Sequence, residues 1–453
     1  MPLKVCVYAI CKNELKFVDK WVESMREADW ICVLDTGSDD GTPERLRELG
    51  CIVEVKKIDP WRFDVARNES MKLVPPEADV CVCTDLDEIL VPGWRAIIEN
   101  LWTKDSMQGR YRYTWSFNAD GSEGTVFLYD KIHKNGGYQW LYPVHEVLHY
   151  VGGGERTFTH LPGIQLNHYA DPEKPRAQYL PLLELAAREN PENDRCLHYL
   201  GREYMHYRRY EDAIEWLQKH IDLPTSKWRE ERCASFRFMG RCQENLSQPG
   251  KAMECYWKGI AEAPFLREPY VDMARMMYRQ EDWYGVLFLV DKITKLKQRT
   301  GSYISEADAW GPLPYDIASM AFFHIGNVPM ALNMARGAHD KAPSDERIAK
   351  NVKLFEEIIQ KQEDVLGKAQ AAGITQPVSF DKKNKHAQKT NPDSKEEIQA
   401  GMPLFGDEKD AYVPKRAAVS MDEIDEAVRN AAKASSKLND LLSGLPQARS
   451  EGA

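Results

Sequence analysis

The first hundred residues alternate short apolar runs with helical patterns, and this alternation limits the possible folds more than any other feature of the chain. The apolar runs, which we interpret as strands, cover residues 3–10, 30–34, 51–55 and 79–83. The segments between them, which we interpret as helices, cover residues 14–26, 42–49 and 63–73. Strands that alternate with helices form βαβ units and a mostly parallel sheet, which binds ligands at the carboxyl ends of its strands. We therefore predict an α/β domain whose functional residues follow the strands.

The pattern changes twice further along the chain. Residues 107–151 are β-rich, and from about residue 170 onward the sequence is purely helical. Small residues recur there 39 positions apart, as in Gly201 and Gly240 and again in Ala213 and Ala252. This recurrence resembles tetratricopeptide repeats, in which small residues let the two helices of a hairpin pack closely. The alternative is a helical bundle without repeats.

The last part of the chain is predicted to hold a linker and one further helix. Residues 366–419 are rich in Lys, Asp, Pro and Gln, which is typical of a disordered linker. Residues 420–446 begin with a capping box and continue with apolar residues at heptad spacing, which predicts an amphipathic terminal helix. That helix either pairs with a second copy of the chain in a homodimer or forms only transiently. The predicted domains are therefore 1–175, 176–365, 366–419 and 420–446.

Charge and cysteine usage limit the cellular setting. The net charge of −10 gives no broad basic surface for nucleic acid or anionic lipid. The ten cysteines are scattered without a CxxC pair, which is typical of reduced thiols in a cytoplasmic protein. The apolar stretch at residues 5–11 is far too short to cross a bilayer, so we expect no integral membrane segment.

Polar motifs follow the predicted strands in a fixed order. They are CKNE at 11–14, DTGSDDGT at 35–42, RFDVARN at 62–68 and TDLDE at 84–88. Because each motif comes at or just after a strand end, all four are expected on one edge of the sheet. Mg²⁺ and Mn²⁺ prefer oxygen ligands, and such a cation can neutralise a nucleoside diphosphate leaving group. The two aspartates of TDLDE are therefore candidate residues of a metal-dependent site.

Together with WLYPVHE at 140–146 and LNHY at 166–169, these motifs make residues 5–168 resemble the family-two glycosyltransferases of the GT-A fold. The resemblance is closest to the bacterial branch that carries tetratricopeptide repeats. It implies an α/β GT-A (Rossmann-like) catalytic domain, followed by an all-α repeat domain, a disordered tail and a short terminal helix. It also implies metal-dependent transfer of a sugar from a nucleotide-sugar donor to an acceptor hydroxyl, with inversion.

The resemblance also implies roles for individual residues. Asp87 and His168 would bind the divalent cation, Mn²⁺ or Mg²⁺, and Glu146 would be the general base with His145 beside it. Trp140 would stack on the acceptor, although an ordinary core aromatic is the alternative. The implied donor-binding residues are Lys12, Glu14, Asp35, Gly37, Ser38, Arg67 and Asp85. For Asp35 the alternative is a turn or helix cap, and for Lys12 and Arg67 it is a structural ion pair.

Two other functions compete with the transferase. Residues 145–149 spell HExxH, a zinc-hydrolase motif that works only on a helix. Pro143 just before it and Gly152 just after it disfavour a helix there. The second competitor is a repeat-based adaptor that carries a degenerate transferase domain. The acceptor class stays open between a glycan, a protein and a modified nucleobase, and the concave surface of the repeats is expected to suit a protein partner.

Overall fold

The structure is a computed structural model that describes residues 2–118, 121–171 and 177–371. The strands among these residues are β1 (Val5–Cys11), β2 (Trp30–Asp35), β3 (Ile52–Val55), β4 (Val80–Cys83), β5 (Glu88–Leu90), β6 (Gln108–Thr114), β7 (Val126–Lys134), β8 (Tyr138–Leu141), β9 (Val147–Tyr150) and β10 (Phe158–His168). The α-helices are α1 (Leu15–Met25), α2 (Thr42–Glu48), α3 (Phe63–Met71), α4 (Trp94–Leu101), α5 (Tyr179–Glu189), α6 (Asp194–His206), α7 (Tyr210–Asp222), α8 (Arg229–Asn245), α9 (Pro249–Glu262), α10 (Glu268–Arg279), α11 (Trp283–Lys295), α12 (Leu313–His324), α13 (Val328–His339) and α14 (Glu346–Ala371).

Eight strands form one mixed sheet in the order β3-β2-β1-β4-β7-β6-β10-β5. The first four strands of that order are parallel to one another, as predicted. The prediction of a mostly parallel sheet is wrong for the rest, because β7 runs antiparallel to both of its neighbours and β5 runs antiparallel to β10. The loop between β6 and β7 is too short for a crossover, so these strands pair as a hairpin. Strands β8 and β9 pair separately.

Apolar residues cover both faces of the parallel half of the sheet. In β1, Val5, Val7 and Ala9 pack in one core, while Cys6 and Tyr8 pack in the core of the opposite face. A strand buried on both faces has a continuous apolar sequence, which explains the uninterrupted run at residues 5–11. All ten cysteines are buried and unbridged, as expected from their sequence environment.

The chain divides into two compact units. The first contains residues Met1–Pro269 and Gln298–Ala307, which include the sheet and helices α5 to α9. The second contains Tyr270–Lys297 and the described residues from Asp308 onward. Helices α5 to α9 therefore belong to the same unit as the sheet, whereas the predicted boundary at 175/176 marks a change in the type of secondary structure.

Helical hairpins occur in both units, as the sequence recurrence predicted. Helices α6 and α7 pack together, as do α8 and α9, and α12 and α13 form a further pair. Gly201 on α6 faces Leu217 on α7, and Gly240 on α8 faces Tyr256 on α9. The recurring glycines therefore lie where two helices approach closely, in the manner of tetratricopeptide repeats.

We expect Gly201→Ala to lower the free energy of unfolding by about 1–3 kcal/mol, because it overpacks the α6–α7 contact. A Cβ atom at this position would lie 2.6 Å from Leu217 Cγ and 3.0 Å from the Leu217 backbone nitrogen. Urea unfolding measures the change. Gly250→Ala is the matched control, because a Cβ atom there would have no atom within 4 Å. Equal stability of the two variants would show that the α6–α7 contact is not tight.

The predicted tail is described only at its start. Helix α14 continues to Ala371, so the first residues of the predicted linker 366–419 are helical. The rest of that linker and the predicted terminal helix 420–446, with its dimer, lie outside the described residues. Among the described helices, none is long and apolar enough to cross a membrane.

Candidate active site

The loops that follow β1 and β2 are joined by hydrogen bonds. The Asn13 backbone N–H donates to Ser38 Oγ at 2.7 Å, and the Asp39 N–H donates to Asn13 Oδ1 at 2.9 Å. The Glu14 N–H donates to Thr42 Oγ1 at 3.0 Å. These bonds hold the predicted donor-binding segments in one fixed arrangement at the edge of the sheet.

The Asp35 carboxylate accepts hydrogen bonds from the turn that follows β2. Its Oδ1 accepts from the backbone N–H groups of Gly37 and Ser38 at 2.9 and 2.8 Å. Its Oδ2 accepts from Ser38 Oγ at 2.5 Å and from the Cys11 thiol at 3.3 Å. Gly37 has a φ of 109°, a conformation that favours glycine. The Asp35 side chain thus stabilises the turn. This structural role was the alternative to direct contact with the nucleotide.

Arg67 brings together two segments that are far apart in the sequence. It is buried on α3, its Nη2 donates to Asp85 Oδ1 at 2.5 Å, and its Nε donates to Glu146 Oε1 at 3.0 Å. The next residue, Asn68, pairs through its side-chain amide with the backbone N–H and C=O of Trp140. Helix α3 therefore holds the 140–146 segment beside the end of β4.

The electrostatics of Arg67 favour a permanent charge. Burial by itself lowers the pKa of its guanidinium, but the negative charges of Asp85 and Glu146 outweigh burial and raise that pKa well above its ordinary value. Arg67 is thus a fixed cation between the first aspartate of the motif at 85–87 and the predicted base. This is the structural ion pair that the sequence left open for Arg67.

Three further polar residues of the site were not among the predicted site residues. Lys131 on β7 is buried, with its Nζ 3.5 Å from Asp85 Oδ2 and 3.8 Å from Glu88 Oε1. Tyr113 donates from its hydroxyl to Glu88 Oε1 at 2.7 Å. Burial raises the pKa of Glu88, although the charge of Lys131 opposes this effect. The sequence could have pointed to Lys131, because Lys131 alternates at period two with Tyr129 and His133 and therefore shares one face of β7 with them.

Asp87 and His168 meet across a strand pair. Strand β5 begins directly after Asp87, and its register against β10 places His168 opposite Glu88. His168 Nε2 lies 3.7 Å from Asp87 Oδ2. Burial lowers the pKa of His168, but the neighbouring Asp87 carboxylate outweighs burial and raises it. The two predicted metal ligands are therefore adjacent.

His168 is oriented by a second contact. Its Nδ1 lies 2.9 Å from the Trp115 carbonyl oxygen, which can only accept, so Nδ1 carries the proton. Its ring also stacks on Trp115 at 4.5 Å between centroids. A histidine whose Nδ1–H donates to a carbonyl presents Nε2 as the ligand atom.

The pair formed by Asp87 and His168 offers one carboxylate and one imidazole nitrogen. Among the described residues, no group of three or more His, Cys, Asp or Glu side chains is arranged to bind a metal. Mg²⁺ is usually bound by one or two carboxylates together with substrate phosphates and water. Asp87 is a carboxylate of that kind, whereas His168 would add a nitrogen and Asp85 faces Arg67 and Lys131.

His145 and Glu146 point to different parts of the first unit. His145 has a φ of 50°, and its ring stacks on Tyr199 of α6 at 4.1 Å, while Glu146 turns toward Arg67. His149 lies on the extended strand β9. The HExxH residues are thus in a loop and a strand, so the helix that a zinc hydrolase requires is not formed.

Trp140 is a core residue, which corrects the predicted contact with the acceptor. Only 2% of its surface is exposed, and its indole N–H donates to the Tyr8 hydroxyl at 3.0 Å. The Arg67 guanidinium carbon lies 5.5 Å from the centre of its ring. An indole enclosed in this way has no open face for a sugar, and its contact is with the buried arginine.

The remaining predicted donor residues lie at the end of β1. Lys12 is exposed, and Glu14 is buried just before α1. Both lie near the turn formed by Asp35, but nothing in the structure assigns them a ligand. Their donor-binding roles stay predictions.

We expect Arg67→Lys to lower the free energy of unfolding by about 1–2 kcal/mol. A single ammonium cannot reproduce the fork that joins Asp85 to Glu146, so charged hydrogen bonds inside the protein are lost. Denaturant unfolding tests this against Arg45→Lys, a control whose ion pairs are exposed. Equal effects of the two substitutions would show that the buried bridge contributes nothing.

Comparison with known families identifies the repeats. A family model of the tetratricopeptide type, described as the prolyl 4-hydroxylase peptide-substrate-binding domain, matches residues 268–361. A search of the curated proteins found no match to this chain. The chain therefore contains a tetratricopeptide-like repeat region, which confirms the prediction for the helical part.

Among solved structures, MamA is similar at 18% identity and a TM-score of 0.30, over 38% of this chain and 89% of MamA. A thermophilic tetratricopeptide repeat protein from Thermus thermophilus is similar at 15% identity and a TM-score of 0.28, over 39% of this chain and 88% of that protein. Glucosyl-3-phosphoglycerate synthase from Mycobacterium tuberculosis is similar at 20% identity and a TM-score of 0.21, over 24% of this chain and 44% of the synthase.

Proposed function

We propose that the sheet domain is a metal-dependent glycosyltransferase that moves a sugar from a nucleotide-sugar donor to an acceptor hydroxyl. The observation that supports it best is the convergence of Asp87 and His168 next to the Arg67 bridge between Asp85 and Glu146. These five residues come from four different elements or loops and meet at one end of the parallel strands. That is the edge at which α/β sheets bind their ligands.

In this proposal Asp87 and His168 hold a Mn²⁺ or Mg²⁺ ion. The ion supplies charge neutralisation for the diphosphate leaving group. The Trp115 carbonyl keeps His168 in the tautomer that presents Nε2. The interlocked loops after β1 and β2 form the rigid floor beneath the nucleotide.

Glu146 is the proposed general base. Its Oε1 is held by Arg67, and its Oε2 accepts no hydrogen bond from the described residues. A carboxylate held at one oxygen is oriented and can take the acceptor proton at the other. A base that acts during direct displacement corresponds to inversion at the anomeric carbon.

A second candidate function is a repeat-based adaptor whose sheet domain has lost activity. The matched family is described as a peptide-substrate-binding domain, and this favours a protein or peptide partner for the repeats. The Arg67 bridge also favours it, because Asp85 and Glu146 are already neutralised by a protein cation. A protein-binding role of the repeats is also compatible with an active transferase if the partner is the acceptor, whereas the loss of activity is not.

Thermal-shift screening of nucleotide sugars with and without Mn²⁺ separates the two functions. A ligand that binds only the folded state raises its stability by about 2.7 kcal/mol at a hundredfold excess over Kd. We expect a nucleotide sugar to raise the Tm in the presence of Mn²⁺ and to raise it much less with chelator. A panel without any metal-dependent shift would favour the adaptor.

A further inference from the structure

Helix α6 presents two arginines around one tyrosine. Arg195, Tyr199 and Arg202 are spaced by four and three residues, so they lie on one face of the helix. The Arg195 guanidinium carbon lies 5.0 Å from the centre of the Tyr199 ring, and that of Arg202 lies 4.7 Å from it. Two positive charges are therefore held close together on one aromatic ring.

Neither guanidinium forms a close ion pair in the described part of the chain, although the charges of Glu231 and Asp130 act on Arg195 from a longer distance. Arg195 Nε and Arg202 Nε are buried and have no hydrogen-bond partner. Within residues 2–118, 121–171 and 177–371, neither side chain forms an ion pair with a carboxylate. Buried donors without partners are rare in folded proteins, and each one needs an explanation such as a missing ligand.

Neighbouring carboxylates are already used elsewhere. Asp194 accepts a hydrogen bond from the backbone N–H of Arg195. Glu231 accepts from the Tyr303 hydroxyl and lies 3.5 Å from His220 Nε2. Arg195 and Arg202 thus form a half-buried cationic pair that no carboxylate of the described residues contacts directly, although Asp130 and Glu231 act on Arg195 from a longer distance.

This pair lies beside the candidate active site. The face of Tyr199 stacks on the His145 ring at 4.1 Å and at an interplanar angle of 20°. His145 directly precedes Glu146, whose carboxylate binds Arg67. A ligand held by the two arginines would therefore contact the segment that carries the proposed base.

We propose that Arg195 and Arg202 bind an anionic group, a phosphate or a carboxylate, on the acceptor of the transferase. Each guanidinium group can bind a pair of oxygens of such an anion by charged, bidentate hydrogen bonds. Tyr199 contacts both guanidinium groups, and its stacking on His145 places this site next to the 145–146 segment. The assignment of the anion to the acceptor rests on the proposed function, whereas the anion site itself is inferred from the arginines alone.

The first test uses the wild-type full chain and inorganic phosphate as the probe. Phenylglyoxal modifies accessible arginines, and peptide mass spectrometry gives the rate at each position. We expect phosphate to slow the modification of Arg195 and Arg202 at least severalfold relative to chloride of equal ionic strength. Arg188 on α5, which is exposed, is the internal control and should react equally in both salts. Equal rates at Arg195 and Arg202 in both salts would overturn the proposal.

The second test measures the Kd of inorganic phosphate by calorimetry for Arg195→Gln, Arg202→Gln and the control Arg188→Gln. Each of the first two should weaken binding about tenfold or more, since each loses charged hydrogen bonds. The control should bind as the wild type does. Unchanged binding in both site variants would overturn the anion site, whatever the donor experiments show.

A third arm separates the acceptor from the donor as the source of the anion. UDP, added with Mn²⁺, should leave the phosphate protection of Arg195 and Arg202 intact. If UDP alone protects both arginines and displaces phosphate, the pair belongs to the donor site and the assignment to the acceptor fails. If phosphate protects them but no nucleotide sugar binds in the thermal-shift screen, the anion site is supported and the transferase is overturned.

Discussion

Asp87→Asn is expected to weaken Mn²⁺-dependent donor binding by more than about a hundredfold. Loss of a partner in the outer shell of a metal site already costs about 10–100-fold, and Asp87 is proposed to bind the metal itself. Asparagine keeps the size of the side chain but removes the negative charge that faces His168. Calorimetric titration of the donor, with and without Mn²⁺, measures the loss.

The fold should survive this substitution. The Tyr169 N–H donates to the backbone oxygen of Asp87, and a change of side chain does not remove that bond. Asp105→Asn is the matched control, because Asp105 is exposed and is not among the proposed site residues. Unchanged Mn²⁺-dependent donor affinity in the Asp87 variant, with the control also unchanged, would remove Asp87 from the proposed metal site.

Glu146→Gln is expected to slow sugar transfer by at least about a hundredfold at saturating acceptor, while the donor Kd stays close to that of the wild type. General bases typically contribute about 10²–10⁴-fold in rate, and an amide cannot take up the acceptor proton. The amide oxygen can still accept from Arg67 Nε, so the bridge to α3 is kept. Single-turnover kinetics with preloaded donor separates the chemical step from binding.

His145→Ala is the companion variant. The His145 ring faces Tyr199 rather than Arg67, so its loss should change the KM for the acceptor more than kcat. A normal transfer rate in the Glu146 variant combined with an inactive His145 variant would reverse the two roles. Normal transfer in both variants would place the base elsewhere.

Local sequence patterns were sufficient for the strands and helices of the first 83 residues, whereas β5, α4 and β10 were not predicted. The apolar runs at residues 5–11 and 80–83 became strands, and the segment between Phe63 and Met71 became a helix. Such patterns report whether a residue faces a core, and that depends on near neighbours in the sequence. The recurrence of Gly201 and Gly240 was likewise readable, because the repeat encodes the same close helix contact twice.

The interaction partners of the polar side chains were not predicted from the sequence. Arg67 was a candidate for the donor diphosphate, yet it bridges Asp85 and Glu146, and Glu146 is 79 residues away in the sequence. Trp140 was expected to face an acceptor, yet its ring is enclosed next to Tyr8. Lys131 was not predicted at all, because its partners are set by the position of β7 between β4 and β6.

The sequence by itself thus determined the strands and helices of the first 83 residues, that the strand-end motifs share one edge, and that hairpin repeats follow. It could do so because apolar periodicity is a local property, whereas the antiparallel direction of β5 and β7 was not predicted. Only the tertiary structure decided which charges pair, which aromatics are enclosed and which arginines form no close ion pair. Those outcomes depend on distances between residues that are far apart in the chain, and these distances exist only once the sheet and the helices have packed.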